Sequence, residues 1–407
     1  MNLHRVVITG AGCISPLGRD VGSMVSAIEA GRSATRRMEG WEQYQGLHSL
    51  VAAPAELADE KQIPRQSRRS MGRMSIFAVQ AAMQALADAG LSPAGLEGRL
   101  GCAVGSTTGS AISLNEVFET MLPAKDLTQL TSMKFFQCLS HTAAMNVAQY
   151  LNLRGCVMAP SAACSSAVQA IGLGYDLIRL GKQDAMLCGG AEELHPTVTG
   201  SFDMLFAASR GYNDRPGQTP RPFDKDRDGL VCGEGSGIVL LEERERAVGR
   251  NARIYAEVVG YHTCGNGTHV SESSREAIVG CMGEALKSAG LEPAQVDYVN
   301  AHATATLQGD KEEAEAIRQL FGDTVPVSSL KGHLGHTLGA SGALELIASL
   351  IMMQKGVLYP TLNLDTVSPD CEGIGHVRSP LSRRVEVVVK NSFAFGGINA
   401  VLVCRRA

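Results

Sequence analysis

The chain of 407 residues lacks a C-x-x-C pair among its eleven cysteines, and only 5% of its residues are aromatic. An odd cysteine count without paired motifs indicates neither a disulfide framework nor a zinc site, and it favours a reducing compartment. The sequence also lacks the run of ~18 apolar residues that a membrane span requires, and the N-terminal apolar run is too short for a signal peptide. We therefore expect a cytoplasmic protein that is not embedded in a membrane.

An excess of charge of one sign is also missing. The net charge is −4 and the sequence has no long basic run, so nothing suggests nucleic acid as a partner. What the chain does contain is 44% hydrophobic residues and 45 glycines, which is typical of closely packed layers with tight turns. Its length is sufficient for two units that each bury a core.

A nine-residue segment occurs twice, 200 positions apart. ALADAGLSP at 85–93 and ALKSAGLEP at 285–293 share six of nine residues, and each leads into an apolar strand. Each half then has an apolar segment, a turn rich in Ser or Gly and a helix of small residues. The pattern predicts an α/β protein with two related halves, residues 1–250 and 251–407, about a pseudo-twofold axis, with parallel-type sheets covered by helices on both faces.

Local patterns predict individual elements. Residues 5–9 read as a buried strand followed by the loop GAGCISPLG, and residues 75–89 read as a helix that ends on Gly90. The second half is predicted to open with a strand over 253–261. Gly10 and Gly12 resemble part of a dinucleotide-binding motif, but Ser15 stands where the third glycine is required, which argues against that function.

The segment VMAPSAACSSAVQA at 157–170 places Cys164 between an apolar strand end and an Ala-rich helix. At a helix N-terminus, the helix dipole and free N–H groups favour a thiolate, so a lowered pKa and a nucleophilic role are expected. The alternative is that Cys164 is one more small buried residue. If the two halves pack about a shared axis, the corresponding loops of the second half meet Cys164, and those loops carry His302 and His336.

Six ordered motifs resemble those of the β-ketoacyl-acyl-carrier-protein synthases, the elongating members of the thiolase-like superfamily. They are AACSSA around Cys164, RPFDKDRDG at 221–229, GEGSG at 233–237, NAHATAT at 300–306, GHTLGASG at 335–342 and FAFGG at 393–397. The resemblance covers nearly the whole chain. It implies a thiolase-like fold with α-β-α-β-α layers, and a dimer whose acyl pocket reaches the subunit interface.

The resemblance also implies the catalytic residues. Cys164 takes an acyl group from a carrier protein, and His302 and His336 stabilise the enolate formed when malonyl-carrier protein loses CO₂. This decarboxylative Claisen condensation makes the chain an acyltransferase with no metal and no organic cofactor. The pathway stays open between fatty acid synthesis and a type II polyketide or polyene route.

Other residues acquire roles by the same resemblance. Lys331, Glu345 and Phe395 support the site, with the backbone N–H of Phe395 contributing to the oxyanion hole. Thr304 and Thr306 contact the pantetheine arm of the carrier, and Phe393 and Phe395 gate the acyl pocket or pack in the core. Ala303, Ala394 and Ile398 depart from the residues that the family usually has, which affects the expected pocket shape.

The basic run Arg65, Arg68 and Arg69 is a candidate docking surface for the acidic carrier, and a solvated helix face is the alternative. The expected partners are acyl and malonyl carrier proteins and a second subunit, in a homodimer or a heterodimer with a homologue that resembles a chain-length factor. The alternative function is that of such a non-catalytic partner, and the intact motif around Cys164 argues against it.

Overall fold

The computed structural model describes residues 3–94, 96, 98–122, 124–267 and 269–407. The α-helices are α1 (Val21–Glu29), α2 (Arg65–Arg68), α3 (Arg73–Asp88), α4 (Ala111–Met121), α5 (Ser132–Cys138), α6 (Thr142–Tyr150), α7 (Ser166–Arg179), α8 (Pro196–Met204), α9 (Arg244–Gly249), α10 (Arg275–Ala289), α11 (Leu307–Phe321), α12 (Lys331–Leu334) and α13 (Ser341–Lys355). The strands are β1 (Val6–Ile14), β2 (Arg36–Arg37), β3 (Val51–Ala52), β4 (Leu100–Gly105), β5 (Val157–Met158), β6 (Ala185–Glu192), β7 (Gly235–Glu243), β8 (Ala256–Gly265), β9 (Tyr298–Asn300), β10 (Pro326–Ser328), β11 (Val357–Leu358), β12 (Gly375–His376), β13 (Leu381–Ser382), β14 (Val387–Ala394) and β15 (Ile398–Arg405).

The strand order repeats in the two halves of the chain. Among the described residues, eleven strands form one sheet in the order β12-β10-β9-β14-β15-β8-β1-β7-β6-β4-β5. Outward from β1, two antiparallel pairings (β1–β7, β7–β6) are followed by two parallel ones (β6–β4, β4–β5). Outward from β8, the series β8-β15-β14-β9-β10 has the same pattern. The antiparallel pair β1–β8 joins the halves, and the expected duplication is confirmed.

The helices form three layers around these strands. α3 packs on β1 and β7 of the first half, and α10 packs on β8 and β15 of the second half. α7 and α13 lie between the halves, because α7 contacts β6 and β15 while α13 contacts β7 and β14. The first ten residues of α13 are all buried, as a central helix requires. The α-β-α-β-α layering implied by the resemblance is therefore confirmed.

The loop predicted over residues 10–18 begins five residues too early, because β1 continues as a strand to Ile14. Its glycines allow α3 to approach closely: a Cβ on Gly10 would lie 2.1 Å from the Ala85 carbonyl oxygen, and one on Gly12 equally close to that of Ala81. Gly260 in β8 plays the same part, since its Cβ would lie 2.4 Å from the Ala285 oxygen. Glycine in a strand can thus mark close approach of a helix, and here it does so in both halves.

The other local predictions are close to the structure. α3 begins two residues before the predicted start and ends at Asp88, and Gly90 has the left-handed φ of +60° expected after a helix. The strand predicted over 253–261 is displaced toward the C-terminus, since β8 runs from Ala256 to Gly265.

Candidate active site

Cys164 lies in a single turn of 3₁₀ helix, Ala163–Ser165, directly before α7. Ala163 has a φ of +47°, a strained value for a residue with a Cβ. The equivalent turn of the second half precedes α13, and its first residue, Leu338, also has a φ of +47°. The duplication therefore preserves a sharp turn into each central helix, and in the first half this turn presents Cys164.

The second half holds the Cys164 turn in place. The Ser392 hydroxyl of β14 donates to the carbonyl oxygen of Cys164 at 2.8 Å. The Ser165 hydroxyl in turn donates to the carbonyl oxygens of Ser392 and Ile398, both at 3.0 Å. Because these bonds cross from one half to the other, the position of the sulfur depends on how the halves pack together.

The structure brings Cys164, His302 and His336 together. The Nε2 atom of His336 lies 2.9 Å from the Cys164 sulfur, and the two imidazole rings are 5.3 Å apart between centroids. All three side chains are buried, and one donor atom from each lies within 4.8 Å of those of the other two. Cys164 and His302 are 138 positions apart in the sequence, and His302 and His336 are 34 apart, but the fold places their side chains next to one another.

Burial shifts the pKa of all three catalytic groups, and for the Cys164 thiol the shift is opposite to the one expected from the sequence. Burial raises the pKa of the Cys164 thiol to about 12, although the positive charge of Lys331 opposes that rise. Burial, together with the charge of Lys331, holds the pKa of both His302 and His336 well below its usual range. The expected lowering of the thiol pKa is wrong, because desolvation outweighs the two effects that lower this pKa, the charge of Lys331 and a backbone hydrogen bond. The resting site therefore contains a thiol beside two neutral imidazoles.

Glu313 in α11 fixes the backbone that carries His302. Its carboxylate accepts the N–H groups of His302 and Ala303 at 2.8 and 2.6 Å, and the Asn391 amide at 2.9 Å. Glu313 was not predicted from the sequence. The signal was its position one residue before Ala314, on the buried face of α11.

Glu192, at the end of β6, is a second buried acid that was not predicted from the sequence. Its Oε2 atom accepts the N–H groups of Thr107 and Gly339 at 3.0 and 3.1 Å. Burial raises the pKa of this carboxyl to about 7. Because Gly339 lies three residues after His336, Glu192 connects the first half to the loop that carries this histidine.

Lys331 and Glu345 form a buried ion pair, with 2.8 Å between Nζ and Oε1. A second lysine, Lys390 of β14, approaches the other oxygen of the same carboxylate at 2.8 Å. Lys331 and Glu345 were predicted from the sequence, whereas Lys390 was not. A lone lysine directly after the apolar run VVV of a buried strand was the available signal.

A cavity leads to the sulfur. Its lining includes every residue expected to touch substrate: Cys164, His302, His336, Thr304, Thr306, Phe393 and Phe395. The hydroxyl oxygens of Thr304 and Thr306 are 3.1 Å apart, and the Phe393 ring lies 6.1 Å from the His302 ring. Phe393 is buried, whereas Phe395 is half-buried with its ring 5.7 Å from that of Phe202. Phe395 is thus the more accessible of the two rings.

The arginines proposed for docking do not line this cavity. Arg65 and Arg69 are exposed at the two ends of α2. Arg68 is partly buried, donates to the Ile63 carbonyl at 3.0 Å and pairs with Glu60 at 2.6 Å. The charge of Arg68 is therefore partly neutralised within the chain, and Arg65 and Arg69 are the two available to a partner.

The donor set of the site also suits a metal ion. Among the described residues, Cys164, His302 and His336 form the group whose sulfur and nitrogen atoms are close enough to bind one. Zinc prefers thiolate and imidazole ligands. The thiol must lose its proton first, and its raised pKa opposes that loss.

Within the part of the chain that the structure describes, no helix combines the length and apolar character needed to cross a bilayer.

Two family models match the chain: "Beta-ketoacyl synthase, N-terminal domain" over residues 3–247 and "Beta-ketoacyl synthase, C-terminal domain" over residues 255–365. The chain belongs to the β-ketoacyl synthase family. It is 35% identical to 3-oxoacyl-acyl-carrier-protein synthase 1 of Escherichia coli, with 99% of each chain covered.

Solved structures show the same β-ketoacyl synthase fold. A β-ketoacyl synthase from Burkholderia phymatum superposes with a TM-score of 0.96 at 44% identity, over 99% of this chain and all of that one. A type II polyketide ketosynthase, solved with its acyl-carrier protein and bound to a hexaketide, superposes with a TM-score of 0.91 at 31% identity, with both chains fully covered.

Proposed function

We propose that this synthase condenses a Cys164-bound acyl group with malonyl-carrier protein, releasing CO₂ and giving a β-ketoacyl-carrier protein. The observation that carries this proposal is the buried contact of 2.9 Å between the Cys164 sulfur and His336 Nε2, with His302 in the same cavity. The E. coli relative is named for β-ketoacyl (3-oxoacyl) chemistry on a carrier protein, which supports the same reaction class here.

The first half-reaction loads the enzyme. The thioester of an acyl carrier enters the cavity, the Cys164 thiol passes its proton to His336 Nε2, and the sulfur attacks the acyl carbon. The bond from that carbon to the carrier sulfur then breaks, and the departing thiolate takes the proton back from the imidazole. The products are an acyl-enzyme and a free carrier thiol. The neutral state of His336 suits this step, because a protonated ring could not accept the proton.

The second half-reaction uses both imidazoles. The malonyl group loses CO₂, and the electrons of the broken C–C bond form an enolate. Its oxygen accepts N–H hydrogen bonds from His302 and from His336, whose ring proton moves from Nδ1 to Nε2 after acyl transfer. The carbanion carbon attacks the Cys164 thioester, and the tetrahedral oxyanion collapses by expelling the sulfur as a thiolate, which takes one proton from solvent. A preorganised donor of this kind typically contributes about 10²–10³ in rate.

The remaining expected residues have supporting parts in this proposal. Thr304 and Thr306 line the approach to the sulfur and contact the pantetheine arm. Phe395, as the more accessible ring, gates the cavity, while Phe393 packs beside His302. The buried ion pair of Lys331 and Glu345 determines the electrostatic environment of the two histidines. We also retain residues 1–250 and 251–407 as the two structural halves, and a cytoplasmic location in keeping with eleven free thiols.

The carrier protein docks at the cavity mouth in this proposal. A second cavity, lined by Leu205, Phe206 and Leu307, shares Thr306 and Phe395 with the catalytic one. Leu205, Phe206 and Leu307 are 56%, 80% and 66% exposed, so they form an apolar rim that a carrier can cover. Arg65 and Arg69 supply positive charge for its acidic surface. The subunit partner is a second copy or a homologue resembling a chain-length factor.

Intact-mass measurement after incubation with a panel of acyl-carrier substrates tests the reaction. We expect the wild-type chain to gain the mass of one acyl group and the Cys164→Ala variant to gain none. Cys404→Ala is the matched control, because this buried thiol does not line the cavity. Acylation of the Cys164→Ala variant would contradict the proposal, and no acylation of the wild type with any substrate would favour the non-catalytic partner role.

The same panel addresses the pathway. Loading of saturated medium chains alone favours fatty acid elongation, whereas loading of unsaturated or aryl-capped chains alone favours a polyene route.

Docking is tested by Phe206→Ser, which should raise KM for carrier-bound substrate but not for a small thioester without a carrier. Leu180→Ser, at an exposed leucine outside the rim, is its control. An equal change with both substrates would contradict docking at the rim.

A further inference from the structure

Cys264 and Cys281 are a pair of thiols outside the catalytic cavity. Cys264 is the last residue but one of β8, and Cys281 lies in α10, the helix that packs on this strand. The Cys264 sulfur is 3.8 Å from the Ala277 carbonyl oxygen of α10. The Cys281 sulfur is 3.6 Å from the His262 carbonyl oxygen of β8. Each sulfur therefore touches the backbone of the element that carries the other.

The periodicity of strand and helix brings the two sulfurs to the same place. Gly260 of β8 faces α10, because a Cβ there would meet the Ala285 carbonyl oxygen. Side chains alternate along a strand, so Cys264, four residues later, faces the same helix. Cys281 lies one helical turn before Ala285. The two thiols are in hydrogen-bond contact, and Cys264 packs against the apolar core that includes Cys281.

The two thiols differ in burial and in acidity. Cys264 is partly exposed, between the exposed residues Thr263 and Gly265, whereas Cys281 is fully buried. The hydrogen bond from Cys281 lowers the pKa of the Cys264 thiol against the opposing effect of burial, and the same bond raises the pKa of Cys281. Every other cysteine with a shifted pKa has a raised one. Cys264 is thus the thiol best suited to react as a thiolate.

The pair also borders the active site. Between β8 and α10, residues 271–273 line the cavity that leads to Cys164. In the turn after Phe395, the Gly396 N–H donates to the Val270 carbonyl oxygen at 2.6 Å. The end of β8 and the start of α10 therefore determine where this part of the cavity wall lies.

We propose that Cys264 and Cys281 form an oxidative modification site, at which a hydroperoxide converts the two thiols into a disulfide that displaces the cavity wall at 271–273 and lowers turnover. The Cys264 thiolate attacks one oxygen of the hydroperoxide, so that an S–O bond forms and the O–O bond breaks. The departing alkoxide takes the proton that the Cys264 thiol has lost and leaves as an alcohol, or as water when the oxidant is H₂O₂. The Cys281 sulfur then attacks the Cys264 sulfur, and hydroxide leaves as water with the proton of the Cys281 thiol. The thiol pair loses two electrons and the peroxide bond gains them.

The new bond changes the distance between the two elements. A disulfide holds its sulfur atoms about 2 Å apart, closer than thiols in a hydrogen bond. The end of β8 and α10 must therefore shift as the bond forms, and residues 271–273 shift with them. In a reducing compartment such a disulfide is transient and acts as a sensor of oxidation. Disulfide formation is independent of the proposed condensation, and only the loss of turnover rests on it.

Intact-mass measurement of the Cys164→Ala chain after treatment with H₂O₂ tests the modification, because the catalytic thiol cannot then contribute. We expect the loss of two hydrogen atoms, their return with dithiothreitol, and a crosslink between residues 264 and 281 in a digest made without reductant. Adding Cys264→Ser should abolish the loss, with Cys264→Ala in its place if that variant does not fold. Adding Cys138→Ser, at a partly exposed cysteine of α5, should leave the loss unchanged.

Turnover of the chain with Cys164 intact tests the effect on the cavity. Oxidation should lower it roughly tenfold and dithiothreitol should restore it, since a displacement of about 1 Å in an active site can cost up to about 10²-fold. Cys264→Ser should show no loss that dithiothreitol reverses. A reversible loss of equal size in that variant would assign the effect to Cys164 and overturn the link to the cavity.

The absence of a disulfide, or a disulfide that joins other cysteines, would overturn the proposal as a whole. A complete disulfide between Cys264 and Cys281 with unchanged turnover would overturn the regulatory part. Failure of the condensation itself gives a different result, because the untreated chain would then show no turnover while the disulfide would still form in the mass measurement.

Discussion

The two histidines are expected to differ in which half-reaction they serve. Only His336 contacts the sulfur, at 2.9 Å, whereas His302 faces it across the cavity with its ring 5.3 Å from that of His336. His302→Ala should therefore impair condensation and spare acylation. His336→Ala should impair both, because it removes the group that accepts the thiol proton as well as a donor to the enolate.

The expected losses in rate follow from the roles of the two histidines. Loss of one enolate donor costs about 10²–10³ in condensation rate, which corresponds to about 2.7–4 kcal/mol. For acylation, a thiol whose pKa is raised to about 12 is about 10⁻⁵ ionised at pH 7, so the sulfur depends on a nearby base. General-base assistance typically contributes about 10²–10⁴, and we expect a loss of that size for acylation in His336→Ala.

Rapid-quench intact-mass analysis measures acylation, and release of labelled CO₂ from malonyl-carrier protein measures the second step. His333→Ala is a control, because this buried histidine bonds the Arg32 and Pro360 carbonyls and lies outside the cavity lining. If His302→Ala slowed acylation as much as His336→Ala did, the assignment of the thiol proton to His336 would be refuted.

Further predictions concern charge, packing and metal binding. Glu345→Gln leaves two buried lysines without a carboxylate and should lower the free energy of unfolding by about 3–5 kcal/mol in urea titration. An unchanged free energy of unfolding would contradict the role of Glu345 as the partner of both lysines. Burial raises the pKa of Glu192 to about 7, above its ordinary value of about 4.3, so the folded state binds this proton more tightly than the unfolded state. The contribution of Glu192 to the free energy of unfolding is fully present below about pH 4, and about 3–4 kcal/mol of it is lost as pH rises through 7. Glu192→Gln should remove that decline. If the free energy of unfolding in urea changed in the same way from pH 4 to 8 in both proteins, the prediction would be disproved. Gly12→Ala should abolish soluble expression, because the added Cβ would lie 2.1 Å from a backbone oxygen of α3, and a folded variant would show that α3 can move. Added Zn²⁺ should block acylation reversibly while EDTA alone leaves activity intact, and loss of activity in EDTA would indicate a required metal.

The duplication was readable from local sequence. Residues 85–93 and 285–293 each combine a helix end, a glycine suited to left-handed φ and the start of a strand, and such short-range signals keep their meaning in any fold. Gly90 and Gly290 have φ values of +60° and +66° in the structure, as the pattern requires.

Gly10 and Gly12 illustrate the opposite case. A glycine-rich run usually indicates a loop, but here the glycines are needed because α3 lies against β1. That contact joins residues about 70 positions apart, and no local pattern reports it. Gly260 could be interpreted in the same way only after β8 was seen to lie under α10.

The sequence alone determined the α/β class, the two related halves and, by resemblance, the reaction family. These features depend on periodicity and motifs that each occupy a few consecutive residues. Only the tertiary structure decided that Cys164 is a buried thiol with a raised pKa, that Glu313 fixes His302, and that Lys390 adds a second cation to Glu345. Desolvation and Coulomb interactions depend on distance in space, and the fold sets those distances by packing one half of the chain against the other.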